Sequence, residues 1–90
     1  MSEPLRREII REHEFDEQLR ALMVNMEEAD EYTAGAEDLL AREPRSGLPV
    51  TRDESVWYLP MNPVRGRRVS IFYSFDESTV HFLAILPFDD

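Results

Sequence analysis

The chain has 90 residues, 42% of them hydrophobic, with five Phe, three Tyr and one Trp, no cysteine and a net charge of −9. That predicts a single domain over residues 1–90 with one real core, and it excludes disulfides and thiolate metal sites. The acidic balance makes long-range attraction for nucleic acid poor, although a local arginine patch could overcome it.

The charge is unevenly placed. Residues 1–43 hold 13 acids and 5 arginines, whereas residues 44–90 hold 6 acids and 5 arginines. All ten basic residues are arginine, which GC-rich coding explains as readily as function. No apolar run approaches the length of a membrane span and SEPLRRE has no signal-peptide core, so the expected location is cytoplasmic, with no membrane partner.

Residues 5–12, LRREIIRE, set Leu5, Ile9 and Ile10 among charges, the pattern of an edge strand protected by charge. A first helical turn is the competing reading. From Phe15 the period changes. Phe15, Leu19, Leu22, Met23 and Met26 form one amphipathic stripe, with Asp16 and Glu17 near its positive N-terminal end. Ala29, Tyr32, Ala36, Leu39 and Leu40 form a second stripe, ending at Arg42 before Pro44. Asn25 and Glu28 have the spacing of a variant capping box, which predicts a break between two helices, with one continuous kinked helix as the competing reading. Gly35, unfavourable inside a helix, points to close packing against a neighbour.

A loop punctuated by Pro44, Gly47 and Pro49 leads to ESVWYLP, a short strand that Pro60 is expected to end. MNPVRG then turns into a hairpin. Val69, Ile71, Tyr73 and Phe75 alternate with Ser70, Phe72 and Ser74, and Asp76-Glu77-Ser78 supplies the turn. In the last run Val80, Phe82, Ala84 and Leu86 are expected on one face and His81, Leu83 and Ile85 on the other. The whole predicts an α+β fold, β-α-α-β-β-β: a two-layer sandwich of a four-stranded, mainly antiparallel sheet with two helices on one face. Residues 7–12 are expected beside the last strand.

This order of elements resembles the RelE/ParE superfamily of bacterial toxin–antitoxin toxins. The resemblance is carried by Phe15 opening the first helix, by Leu39-Leu40-x-x-x-Pro44-x-x-Gly47 closing the second, and by the basic turn Arg65-Gly66-Arg67-Arg68. The aromatic strand from Val69 to Glu77 and the apolar last strand complete it. It implies a small protein neutralised by an antitoxin. One branch of such toxins cuts messenger RNA on the ribosome without a metal, and another poisons DNA gyrase. The nuclease branch places basic residues at the start of the penultimate strand, matched here by Arg65, Arg67 and Arg68. It also places basic or tyrosine residues past the last strand, where this sequence has Asp89-Asp90.

Arg65, Arg67 and Arg68 are the one basic cluster, and planar guanidinium forks suit phosphate binding and phosphoryl-transfer charge. Solvation of a turn and pairing with nearby acids is the alternative reading. His81 has the chemistry of a general acid or base, but a mid-strand histidine in an apolar run more often has a structural place. A nuclease reading assigns Arg67, Arg68 and His81 to catalysis, with Arg65 steering RNA. His13 reads as surface, and Glu12, His13, Glu14 and Asp16 lack the spacing of a helix metal site. Trp57 and Tyr58 could stack bases, although a lone Trp is more often a core anchor. No nucleotide fingerprint or nucleophile–base pair appears, so no cofactor is expected.

The leading reading is therefore a toxin component acting on translation or on another essential target, with the ribosome and its messenger RNA, or gyrase, as target. A non-catalytic interaction domain of the same fold, gyrase-inhibitor-like or degenerate, is the alternative. The hairpin and first helix are expected to expose apolar surface that an antitoxin or a second copy covers. Because Asp89 and Asp90 would repel a phosphate, weak or absent RNA cleavage is expected.

Overall fold

The computed structural model describes residues 6–23 and 25–88. Leu5, Asp89 and Asp90 lie outside them. β1 (Glu8–Arg11) is followed by α1 (His13–Leu22), α2 (Met26–Arg42), a short 3-10 turn (Pro44–Ser46), β2 (Leu48–Pro49), β3 (Trp57–Val64), β4 (Arg67–Phe75) and β5 (Thr79–Phe88). The sheet order is β1-β5-β4-β3-β2. β1 lies parallel to β5, with Ile9 opposite Val80, and the other pairs are antiparallel. The α+β sandwich matches expectation, but the sheet has five strands rather than four. The additional strand is β2, two exposed residues opposite Trp57 and Tyr58.

The helices separate where Asn25 caps α2. Its Oδ1 accepts a hydrogen bond from the Glu28 N–H at 2.8 Å, satisfying one donor left open by the first helical turn. Phe15 and Leu19 of α1 and Ala29, Thr33 and Leu40 of α2 are fully buried. They pack with Val69, Ile71 and Tyr73 of β4 and Val80, Phe82 and Ile85 of β5. Arg11 ties the layers together. Its guanidinium donates to Glu37 at 2.6 and 2.8 Å and to the Thr33 hydroxyl at 2.8 Å, with Asp16 and Asp30 each 3.6 Å away.

Three local expectations are corrected. Gly35 is exposed, and a Cβ there would meet nothing within 4 Å, so no close neighbour explains it. Pro60 does not end β3, which runs on past Pro63 to Val64. β2 pairs only with Trp57 and Tyr58, so both prolines sit where β3 forms the sheet edge and their missing N–H groups cost no ladder bond. The last strand also changes face. Phe72 pairs with Ala84 but Tyr73 with Phe82, so Leu83 is an extra residue, a β-bulge. Val80, Phe82 and then Ile85 point to the core, while Ala84 and Leu86 turn outward. A run apolar at nearly every position carries no sign of such a shift.

The β3–β4 connection is a two-residue hairpin. Arg65 and Gly66 both have positive φ, 51° and 78°, as a turn of type I′ requires to match the strand twist. Among the described residues no helix is long and apolar enough to cross a membrane.

Candidate functional site

Both helices cover the sheet face that carries Ile71 and Tyr73, and among the described residues no layer covers the opposite face. Strand alternation puts Tyr58 of β3, Arg68, Ser70 and Phe72 of β4, and Leu86 and Phe88 of β5 on that open face. Phe72 lies at the centre of an aromatic row, its ring 6.2 Å from Tyr58 and 5.9 Å, edge-on, from Phe88. A groove of about 600 Å³ runs over the row, with Val50 as one wall and Ser70 and Arg68 among its lining. Five large hydrophobic side chains are exposed among the described residues: Met26, Leu48, Val50, Leu86 and Phe88. Four belong to this face or its rim, since Leu48 pairs with Tyr58 and Val50 lines the groove. None comes from α1 itself; of the first helical stripe only Met26, which begins α2, is among them.

The basic cluster is close in sequence but divided in space. Arg68, opposite Phe88, enters the groove. Arg67 is one residue earlier and takes the alternation of Val69, toward the other face. Arg65 sits in the turn and borders a separate hollow with Tyr32 and Asn62, where the Tyr32 hydroxyl donates to the Asn62 carbonyl. Burial pushes the Tyr32 pKa up.

His81 is not brought to the arginines. It is opposite Ser74, six residues along β4 from Arg68, about 20 Å at strand spacing. Its Nδ1 lies 3.1 Å from Glu12 Oε1 and its Nε2 3.3 Å from the Thr79 hydroxyl, so its place is at the β1–β5 end of the sheet. Arg67, Arg68 and His81 therefore do not converge on one point. His13 pairs with Glu17 at 3.0 Å on the surface of α1.

Trp57 and Tyr58 face opposite ways. Trp57 is buried on the helix side, donates through Nε1 to the Glu54 carbonyl at 2.8 Å and packs on Phe75. Only Tyr58 is available to the groove. Phe72, Phe88 and Val50 were not singled out from the sequence. The readable signal was Phe72, a large aromatic on the otherwise polar parity of Ser70 and Ser74.

The groove can take a flat or apolar group against Phe72 and hold one negative or carbonyl oxygen at Arg68. Among the described residues, Arg68 and Tyr58 are the titratable groups that line it.

No protein family matches the chain, and no curated protein matches it in sequence. Among solved structures, a chain of the toxin–antitoxin complex RelBE2 from Mycobacterium tuberculosis is similar over the full length of both chains, with a TM-score of 0.68 and 18% sequence identity. This chain thus shares the fold of that chain, in keeping with the order of elements on which the resemblance rested.

Proposed function

We propose that this chain is the toxin-like component of a toxin–antitoxin pair, neutralised by an antitoxin, and that it acts by docking its open sheet face onto a protein target rather than by cutting RNA. One observation carries the choice. That face concentrates four of the five exposed large hydrophobic side chains among the described residues around an aromatic row, the makeup of a protein-docking surface.

RNA cleavage in the absence of a metal needs a group to activate the ribose hydroxyl, charge stabilisation at the phosphate and a proton for the leaving oxygen. Arg68 supplies the second. His81 is about 20 Å away along the strand, engaged with Glu12, and the sequence after β5 continues with Asp89 and Asp90. The RNA reading is supported by Arg68 beside stackable rings, with Arg65 in the adjoining turn and Arg67 at the start of β4.

The test is expression in cells with mapping of messenger RNA ends on ribosomes. Growth inhibition without new ends, abolished by Phe88→Ser, supports docking. Codon-phased cuts that vanish in Arg68→Ala would overturn it in favour of the nuclease. Co-expression with the product of the adjacent short reading frame should restore growth in either case.

A further inference from the structure

We infer that the end of the sheet remote from the groove carries a second site, an oxyanion site built by Arg7 and Arg45, which takes a phosphate group. Phe75 ends β4, seven residues from Arg68, about 23 Å along the strand. Two guanidinium groups meet at its ring: the Arg7 Cζ is 5.9 Å and the Arg45 Cζ 5.7 Å from the ring centroid. Arg45 also lies 5.9 Å from the Trp57 ring. Both arginines line one hollow of about 450 Å³ together with Glu43, Pro44 and Ser46.

Some arginines of this acidic chain are matched to carboxylates: Arg6 and Arg42 to Asp38, Arg11 to Glu37. Among the described residues, neither Arg7 nor Arg45 has a carboxylate partner; they share a ring instead. Two like charges converging on one hollow repel each other, and an anion between them relieves that repulsion.

The scaffold holds both in place before any ligand arrives. Arg7 is fixed by its N–H to the Ala41 carbonyl at 2.8 Å and by its Nε to the Asp76 carbonyl at 2.7 Å, which leaves its terminal nitrogens for a ligand. Arg45 sits within the 3-10 turn anchored by Tyr73 through Pro44. The planar forks and the Ser46 hydroxyl suit a tetrahedral oxyanion. Glu43 also lines the hollow and reduces its formal charge to a net +1.

Trp57 is the single tryptophan of the chain and lies under Arg45, so its indole reports occupancy. The full chain is titrated with sodium phosphate at constant ionic strength against sodium chloride, following Trp57 fluorescence and the indole ¹⁵N–¹H resonance. A saturable response to phosphate and none to chloride is expected. Arg45→Gln and Arg7→Gln should each weaken it at least tenfold, Arg68→Gln should leave it unchanged, and Glu43→Gln should strengthen it severalfold. The last variant keeps the test decisive if an arginine variant folds poorly. A non-saturable response, an equal response to chloride, or binding weakened by Glu43→Gln overturns the site. Titration with a mixed-sequence single-stranded hexanucleotide separates the sources: displacement by phosphate assigns the site to a phosphodiester, and its absence to the free anion.

Discussion

The Tyr73 hydroxyl and the Gly47 backbone hold each other in the core: Gly47 N–H donates to the Tyr73 oxygen at 3.1 Å, and that hydroxyl donates to the Pro44 carbonyl at 2.6 Å. Tyr73 is fully buried, and burial raises its pKa, with the Gly47 N–H pulling the other way. The Pro-x-x-Gly element after α2 is thus a backbone loop clamped by one phenol. A Cβ on Gly47 would collide with the Tyr58 carbonyl oxygen and with the Tyr73 hydroxyl. The glycine answers a demand for space, since its φ of −83° is open to any residue.

Tyr73→Phe should therefore cost about 1–3 kcal/mol, because it strands a buried N–H. Gly47→Ala should cost more, since the Tyr58 backbone in its way cannot rotate aside. Urea unfolding followed by far-UV dichroism measures both, as a fall in midpoint at unchanged slope.

Gly35 gives the opposite sign. Its exposed place in α2, with open space where a Cβ would sit, means Gly35→Ala should stabilise by about 0.5–1 kcal/mol through helix propensity alone. A melting temperature that stays level or falls would contradict the helix assignment there.

Asp76 contributes to the acid limb of stability, as does Asp53, whose pKa is lowered by hydrogen bonds from Thr51 and Ser55. The Asp76 carboxylate accepts from the N–H groups of Ser78 and Thr79, each at 2.8 Å, and from the Thr79 hydroxyl at 2.9 Å. Those bonds, Ser78 first, lower its pKa to about 2 from the ordinary 3.8. A depressed folded-state pKa gives stability that is fully present above the unfolded value and lost as pH falls toward the folded one. The loss attributable to Asp76 should fall between about pH 4 and pH 2, and Asp76→Asn should flatten it. Carboxyl ¹³C shifts against pH check the midpoint directly.

How much could be read beforehand follows from which residues carry a local signal. Asn25 and Glu28 announced the helix break because a cap is a local hydrogen bond, and Ile9 and Ile10 among charges announced an edge strand. β2 had no pattern to show: Leu48 and Pro49 are too few for a period and both are exposed. The bulge at Leu83 was hidden because both faces of β5 are apolar, so no alternation could reveal the shift. At the candidate site, Arg65, Arg67 and Arg68 were legible as a cluster, but their division between faces depends on where the hairpin turn falls. His81 and Arg68 share a face, and only the pairing register shows that the length of β4 separates them.

Separating docking from chemistry calls for variants that divide the same way. Phe72 and Phe88 touch edge-on across the open face, and Phe88 remains 44% exposed, so Phe88→Ser removes docking area at little cost to the fold. Truncating an aromatic anchor at an interface centre typically costs 2 kcal/mol or more, roughly thirtyfold in affinity. His81, paired with Glu12 at the other end of the sheet, has no part in that surface. Growth inhibition should fall sharply in Phe88→Ser while His81→Ala retains it, with both variants checked for unchanged melting. A general acid or base at His81 requires the reverse: His81→Ala would lose activity and Phe88→Ser would keep most of it, and that ordering would reject the docking mechanism.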